Sequence, residues 1–228
     1  MAEPLVPSTG LGVIHLFCAV TPDTDRAAVE AAVKGALADE LQVVSVAVLG
    51  HKADVAFMAL GADLWRLRAF QSAVVAAGMV LIDSYVSLTE LSEYAQGVPE
   101  AMRQARLFPQ LPPEGKQAFC FYPMSKRRDP GANWFSLPYD ERKELMLEHG
   151  ASGRTFAGRV LQVVTGSTGI DDFEWGVTLF AQKPDDLKEV VYTMRFDRAS
   201  TDYGVFGPFV TGAVGELADV LDAAGLGA

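Results

Sequence analysis

Along this chain, short unbroken apolar runs alternate with longer stretches in which apolar residues return every three or four positions. Residues 11–20 form the first run and predict a strand. Thr24 and Asp25 then offer an N-cap, and residues 26–41 place Val29, Val33, Leu37 and Leu41 at helical spacing. Residues 43–49 and 54–60 read as strands separated by Gly50-His51-Lys52. A second helix is predicted over 62–77, closed by Gly78, and a further strand lies within 79–91. The order is β-α-β-β-α-β.

The same order returns downstream. Residues 118–124 predict a strand, and Pro138 opens a helix to about residue 156 in which Leu145, Met146, His149 and Phe156 share a face. Residues 160–165 and 174–180 are strands joined by a Gly/Ser/Asp-rich segment; 185–198 reads as a helix, 205–210 as a closing strand and 215–224 as a small helix. Residues 98–117 hold four prolines and read as a linker. The expectation is therefore an α+β chain of two tandem ferredoxin-like (βαββαβ) repeats, over 1–97 and 118–228. A sheet with helices on one face needs cover on the other, so the two sheets are expected to form a dimeric α/β-barrel-like chain.

Composition narrows the function classes. The chain has 228 residues, half of them hydrophobic, enough for a well-formed core. Its net charge of −10 argues against a nucleic-acid or anionic-membrane partner. The local cluster Lys126-Arg127-Arg128 still leaves room for a small anionic ligand. Two cysteines, Cys18 and Cys120, lie apart in apolar strands, which argues against a zinc or iron–sulfur site and predicts buried free thiols in a reducing compartment. No basic leader or bilayer-length apolar run precedes or interrupts the pattern, so a cytoplasmic protein is expected.

Chemistry enters with residues 121–126. Alternation along a strand points Tyr122, Met124 and Lys126 the same way. A phenol beside an ammonium suits redox work next to a carboxylate; the same spacing also suits a half-buried strand ending in a solvated basic loop. His149, one of three histidines, shares its helical face with apolar residues and so expects apolar surroundings. There it suits an axial iron ligand or a satisfied core histidine. Gln162 is an uncharged amide in an apolar strand, fitted to bond an iron-bound oxygen species or to mark a sheet edge. Arg106, Arg154, Arg159 and Arg195 suit carboxylates or open surface, and Trp134 and Trp175 suit a macrocycle wall or plain core packing.

Several segments together carry a specific resemblance. They are Phe121-Tyr122-Pro123-Met124-Ser125-Lys126-Arg127-Arg128, Asn133-Trp134, Glu148-His149-Gly150, Gly153-Arg154, Gly166-Ser167, residues 171–180, and Met194-Arg195-Phe196-Asp197. The chain resembles the chlorite dismutase-like superfamily, and in particular its coproheme decarboxylase branch, which ends a haem-biosynthetic route. The match is dense from about 118 to 210 and sparser upstream. Phe135 and Ser136 stand where a Tyr-Met pair is frequent, which touches packing more than chemistry.

The resemblance implies haem binding in the second repeat, no cofactor in the first, and a homopentamer. Tyr122 matches the tyrosine that becomes a radical, Lys126 the lysine at the reacting propionate, and His149 the axial iron ligand. Gln162 matches the distal glutamine, where oxygen-evolving chlorite dismutases place an arginine. Arg106 and Ser200 match propionate-binding positions, and Met124 and Trp134 match residues lining the macrocycle. The implied reaction takes Fe-coproporphyrin III (coproheme) and hydrogen peroxide to haem b, with a transient contact to the upstream ferrochelatase. The competing readings are a chlorite dismutase or haem peroxidase on the same scaffold, a non-enzymatic haem carrier or sensor, and a small-molecule-binding barrel without haem.

Overall fold

A computed structural model describes residues 3–95 and 97–227. The first half runs β1 (Gly12–Ala19), α1 (Arg26–Ala38), β2 (Gln42–Leu49), β3 (Val55–Gly61), α2 (Leu64–Ala76) and β4 (Val80–Thr89). Asp25 caps α1 by accepting from the Ala28 N–H, and Asp63 caps α2 by accepting from that of Trp65. Gly78 turns the chain out of α2 at φ +87°, where an added Cβ would lie 2.3 Å from the Asp23 carbonyl oxygen.

The linker is not featureless: it contains α3 (Glu100–Leu107), an amphipathic helix with Glu100 in its first turn and Arg106 in its last. The second half runs β5 (Ala118–Lys126), a small hairpin of β6 (Arg128–Asp129) and β7 (Ala132–Asn133), and a 3₁₀ turn at Trp134–Ser136. It continues through α4 (Tyr139–Arg154), β8 (Val160–Gly166), β9 (Trp175–Ala181), α5 (Pro184–Met194), α6 (Arg198–Thr201), β10 (Gly204–Phe206), β11 (Val210–Val214) and α7 (Leu217–Ala223).

Two expectations need correction here. The helix predicted over 185–198 is split, because the Asp197 side chain accepts the Ser200 N–H and starts α6 as a new helix. The strand predicted over 205–210 is also split. Pro208 has no N–H for the ladder, and Gly207 instead donates to the Pro123 carbonyl.

Apart from the β6–β7 hairpin, the strands form one sheet, ordered β10-β5-β11-β2-β3-β1-β4-β8-β9, and the pairing of β5 with β9 closes it. Each half contributes its strands in the order second, third, first, fourth, as the ferredoxin-like plan requires. The halves are joined along both seams. At one, β11 pairs with β2 from Thr211↔Leu49 to Val214↔Val46; at the other, β4 meets β8 only at Leu88↔Gly166 and Thr89↔Thr165. The mutual cover expected of two facing sheets is thus achieved together with edge-to-edge hydrogen bonding, which removes most free edges.

Alternation sorts the side chains. Val13 and Phe17 of β1 and Phe119 and Phe121 of β5 fill the lumen, while Ile14, Leu16 and Cys18 face the helices. Both cysteines are buried free thiols, and burial raises their pKa to about 12 for Cys18 and about 11 for Cys120. His15 also points into the lumen, 4.2 Å from the Phe121 ring between centroids, with Nε2 2.9 Å from Thr178 Oγ1 and no partner for Nδ1.

Burial lowers the His15 pKa to about 3. An unfolded histidine titrates at about 6.5, so below that pH the unfolded chain gains a proton the folded chain refuses. Stability contributed by neutral His15 is therefore present above pH 6.5 and lost as pH falls toward 3. Between pH 7 and pH 5 this group alone is expected to remove about 2 kcal/mol. Urea unfolding of the wild type and His15→Gln at the two pH values checks it: the variant should lack that part of the loss, and equal losses would refute the assignment.

Candidate active site

The candidate residues gather on the outer, helix-facing side of β8, β9 and β5. Register places Gln162, Leu179 and Cys120 in one row, Val164, Val177 and Tyr122 in the next, and Gly166, Trp175 and Met124 in a third. Cys120, Tyr122, Val177 and Leu179 form a buried cluster with Leu187 and Val190 of α5, and Met124 packs against it. Toward β8 the helix layer leaves the sheet open: Gln162 is exposed, and Val164 is 40 % exposed despite being apolar. An open apolar strip beside a lone amide is where a flat hydrophobic ligand would lie.

Tyr122 is buried among aromatic rings, stacked on Phe209 at 4.5 Å and tilted against Phe206 at 5.7 Å between centroids. Burial raises its pKa above that of an ordinary phenol. The phenol is therefore neutral at physiological pH, and removing an electron from it requires that its proton leave as well.

Lys126 is buried too, which sets aside the alternative reading in which it opens a solvated basic loop. Its Nζ donates to the Ala199 carbonyl at 2.5 Å and sits 4.6 Å from the Trp134 ring centroid. Burial lowers its pKa to about 8, opposed by the charges of Asp197 and Glu174. Glu174 accepts the Lys126 backbone N–H at 2.8 Å and pairs with Arg128 at 2.5 Å, so part of the basic cluster is already neutralised.

His149 differs from its expected apolar setting in one respect. The Nδ1 edge of the ring meets Asp197 Oδ2 at 3.1 Å and Ser200 Oγ at 3.4 Å. Asp197 is almost fully buried, and Ser200 donates to it from both backbone N–H and hydroxyl. Burial alone would raise the Asp197 pKa, but the hydrogen bond and charge of His149 and the Ser200 bonds outweigh it and leave it below the usual value. An ionised carboxylate only accepts, so Nδ1 carries a proton, and in the neutral ring Nε2 is the nitrogen left with a lone pair. Carboxylate–imidazole pairs of this kind orient metal-ligating histidines.

These groups are contiguous. Ala199, which holds Lys126, lies between Asp197 and Ser200, which hold His149. Tyr122 and Met124 precede Lys126 on the same strand face. Arg106 stands apart, exposed on α3, although the carbonyl of the next residue, Leu107, ties that helix to Thr89 of β4 at 2.8 Å. Trp134 is 2 % exposed and packs under Lys126 and Tyr203 rather than lining open space. Arg159 pairs with Asp186 and Glu189.

Sequence reasoning assigned no role to Asp197, Glu174, Glu90 or Phe209. Asp197 had a readable signal in its Asp-x-x-Ser capping pattern with Ser200. Glu90 had none; its carboxyl sits over Gly166, where an added Cβ would lie 2.2 Å away, and accepts the Trp175 indole N–H at 3.0 Å.

Among the described residues, no group of three or more His, Cys, Asp or Glu side chains could hold a bare metal ion. A metal at His149 must therefore bring most of its ligands with it, as a metalloporphyrin does. The free Nε2 lone pair, the buried carboxylate behind it and the open apolar strip fit such a group. No described helix is long and apolar enough to cross a membrane.

A family model described as chlorite dismutase matches residues 24–215. A coproheme decarboxylase of Staphylococcus saprophyticus is 43% identical over 177 residues, covering 73% of this chain and 70% of that protein. A heme-binding protein of Natronomonas pharaonis is 44% identical over 182 residues; these are 72% of this chain but only 30% of that longer relative. The structure of a heme-binding protein from Thermus thermophilus superposes with a TM-score of 0.83 at 32% identity, covering 98% of this chain and all of that one. A chlorite dismutase variant from Candidatus Nitrospira defluvii shares the fold at TM-score 0.76 and 20% identity, over 96% of this chain and 97% of that one.

Proposed function

Since the chain belongs to the chlorite dismutase family, we propose that it is a coproheme decarboxylase, converting two propionates of Fe-coproporphyrin III to vinyls with hydrogen peroxide and releasing haem b. What supports this reading most is that Ala199, which seats Lys126, lies between Asp197 and Ser200, which hold His149, while Tyr122 shares the strand face of Lys126. The 43% identity to named coproheme decarboxylases supports it.

The bound iron porphyrin, being substrate and redox centre at once, supplies the oxidising equivalents from peroxide. His149 Nε2 holds the iron, and Asp197 fixes the ring tautomer and its orientation. Tyr122 gives up one electron and its phenolic proton to become a neutral radical. The radical takes a hydrogen atom from the β-carbon of a propionate and is restored to the phenol. Loss of carbon dioxide and one more electron leaves the vinyl. Per round, one propionate loses carbon dioxide, one proton and two electrons, and one peroxide takes two electrons and two protons to give two waters. Lys126 places the reacting carboxylate. Met124 bounds the macrocycle's side of the site, Ser200 serves the Asp197–His149 pair, and Trp134 seats Lys126; Arg106, on α3, is left without a role in this reading.

Gln162 favours this reading over chlorite dismutation. The three rows of the site face contain no cation to bind an oxychlorine anion, and an amide cannot supply one. Exposed apolar side chains on the first repeat, among them Trp65, Val75, Val80 and Ile82, support assembly into a homo-oligomer, which we take as a homopentamer. The same reading places the protein in the cytoplasm, receiving coproheme from a ferrochelatase.

The test mixes protein, coproheme and hydrogen peroxide and follows the porphyrin by mass spectrometry. Two successive losses of about 46 Da, one carbon dioxide plus two hydrogens each, are expected by the balance above. Unchanged coproheme, or oxygen release from chlorite, would overturn the proposal.

A further inference from the structure

We propose that Lys126 has two stations: in the free protein its ammonium rests on the Ala199 carbonyl against the face of Trp134, and a bound substrate carboxylate draws it off that seat. Trp134 is then the positioning residue that defines the resting station. The proposal rests on the reading above, in which the ligand is a porphyrin bearing propionates.

Three observations carry it. First, Lys126 is 7 % exposed, so its charge has left bulk water, yet its closest partner is a neutral carbonyl at 2.5 Å. Carbonyls bind ammonium less strongly than carboxylates do. Second, the two carboxylates that influence it are held by other groups. Asp197, at the cap of α6, is bound by His149 and Ser200. Glu174, leading into β9, is bound by Arg128 and by the Lys126 backbone N–H. Third, the Trp134 ring lies 4.6 Å from Nζ and is itself buried against Leu145, Ala199 and Tyr203, giving the cation a rigid aromatic seat. A buried cation without a carboxylate of its own is held ready for an anion brought from outside. Its long unbranched side chain can reorient without moving the backbone of β5.

Burial sets the ammonium pKa at about 8 at the resting station, with Asp197 and Glu174 opposing the shift. A propionate at the second station adds an unshared negative charge and moves the value up.

The experiment follows lysine signals by NMR in full-length protein carrying ¹³C-labelled lysine, with Lys126→Met to assign the resonance. In the free protein the Lys126 ε-methylene is expected to be shifted upfield by the Trp134 ring and to titrate near pH 8. Trp134→Phe should keep part of the ring shift and Trp134→Leu should abolish it. The Phe variant preserves the test if the Leu variant fails to fold. Adding metal-free coproporphyrin III should raise the midpoint by at least about one unit, a tenfold change in proton affinity. A free-protein midpoint near that of exposed lysine, insensitive to Trp134, would overturn the resting station and leave the proposed function standing. Porphyrin bound, as seen by its absorption, with an unmoved Lys126 midpoint would overturn the exchange alone. Failure of coproporphyrin to bind would overturn the proposed function, and the carboxylate station with it.

Discussion

Tyr122→Phe is expected to abolish conversion of coproheme while leaving its binding intact. The substitution removes one oxygen atom from a ring that Phe206 and Phe209 already hold, so the packing survives. What disappears is the O–H bond, the only group of that ring able to lose and regain a hydrogen atom. The expected loss is on the order of 10³-fold or more, at least about 4 kcal/mol of barrier. Single-turnover mass spectrometry of the loaded variant with peroxide measures it, and binding is checked separately by porphyrin absorption titration. Turnover within tenfold of the wild type would remove Tyr122 from the chemistry. Loss of binding alongside turnover would show that the ring builds the site instead.

His149→Ala should act at a different step. The imidazole is the side chain proposed to hold the iron, and the variant leaves Asp197 buried with Ser200 as its remaining side-chain partner. Iron-porphyrin affinity is expected to fall by more than the 10- to 100-fold that loss of a ligand's hydrogen-bonding partner typically costs. Metal-free coproporphyrin, which needs no axial ligand, should bind nearly as before. The contrast between the two porphyrins is the readout: equal losses for both would mean that His149 supports the pocket and does not hold the metal.

Much of this site was legible before any coordinates. Strand alternation is local, so the common face of Tyr122, Met124 and Lys126 followed from spacing, and the structure keeps it. Helical periodicity likewise marked α4 and the place of His149 on it, but the helix ends at Arg154, and Phe156, expected on the same face, packs in a different cluster from Leu145 and Met146. The unreadable parts depend on contacts between segments far apart in the chain. Asp197 lies 48 positions from His149, and the Ala199 carbonyl lies 73 from Lys126. No periodicity spans such separations, so an imidazole expected among apolar groups meets a carboxylate, and a lysine that spacing alone left between site and solvent is buried. The break between α5 and α6, which delivers both partners, falls at Arg195–Asp197, where neither Pro nor Gly marks it. In the fold, the two repeats followed from the order of elements. The barrel followed from the need of each sheet for cover, but the pairing of particular edges did not, because which strand edge meets which is decided by the whole barrel and not by any one strand.

That closure bears on how the proposed site, built from the second repeat, depends on the first. The residues proposed for the proton, hydrogen-atom and iron-holding roles come from the later βαββαβ unit, yet that unit shares its lumen core and two strand borders with the earlier one. Released from its sibling, it would bare β11 and the end of β8 and open Phe119, Phe121 and Phe180 to water. The earlier copy's strands must therefore keep meeting those two borders, and a substitution that spoils either one is expected to reach the proposed chemistry without touching a residue assigned to it.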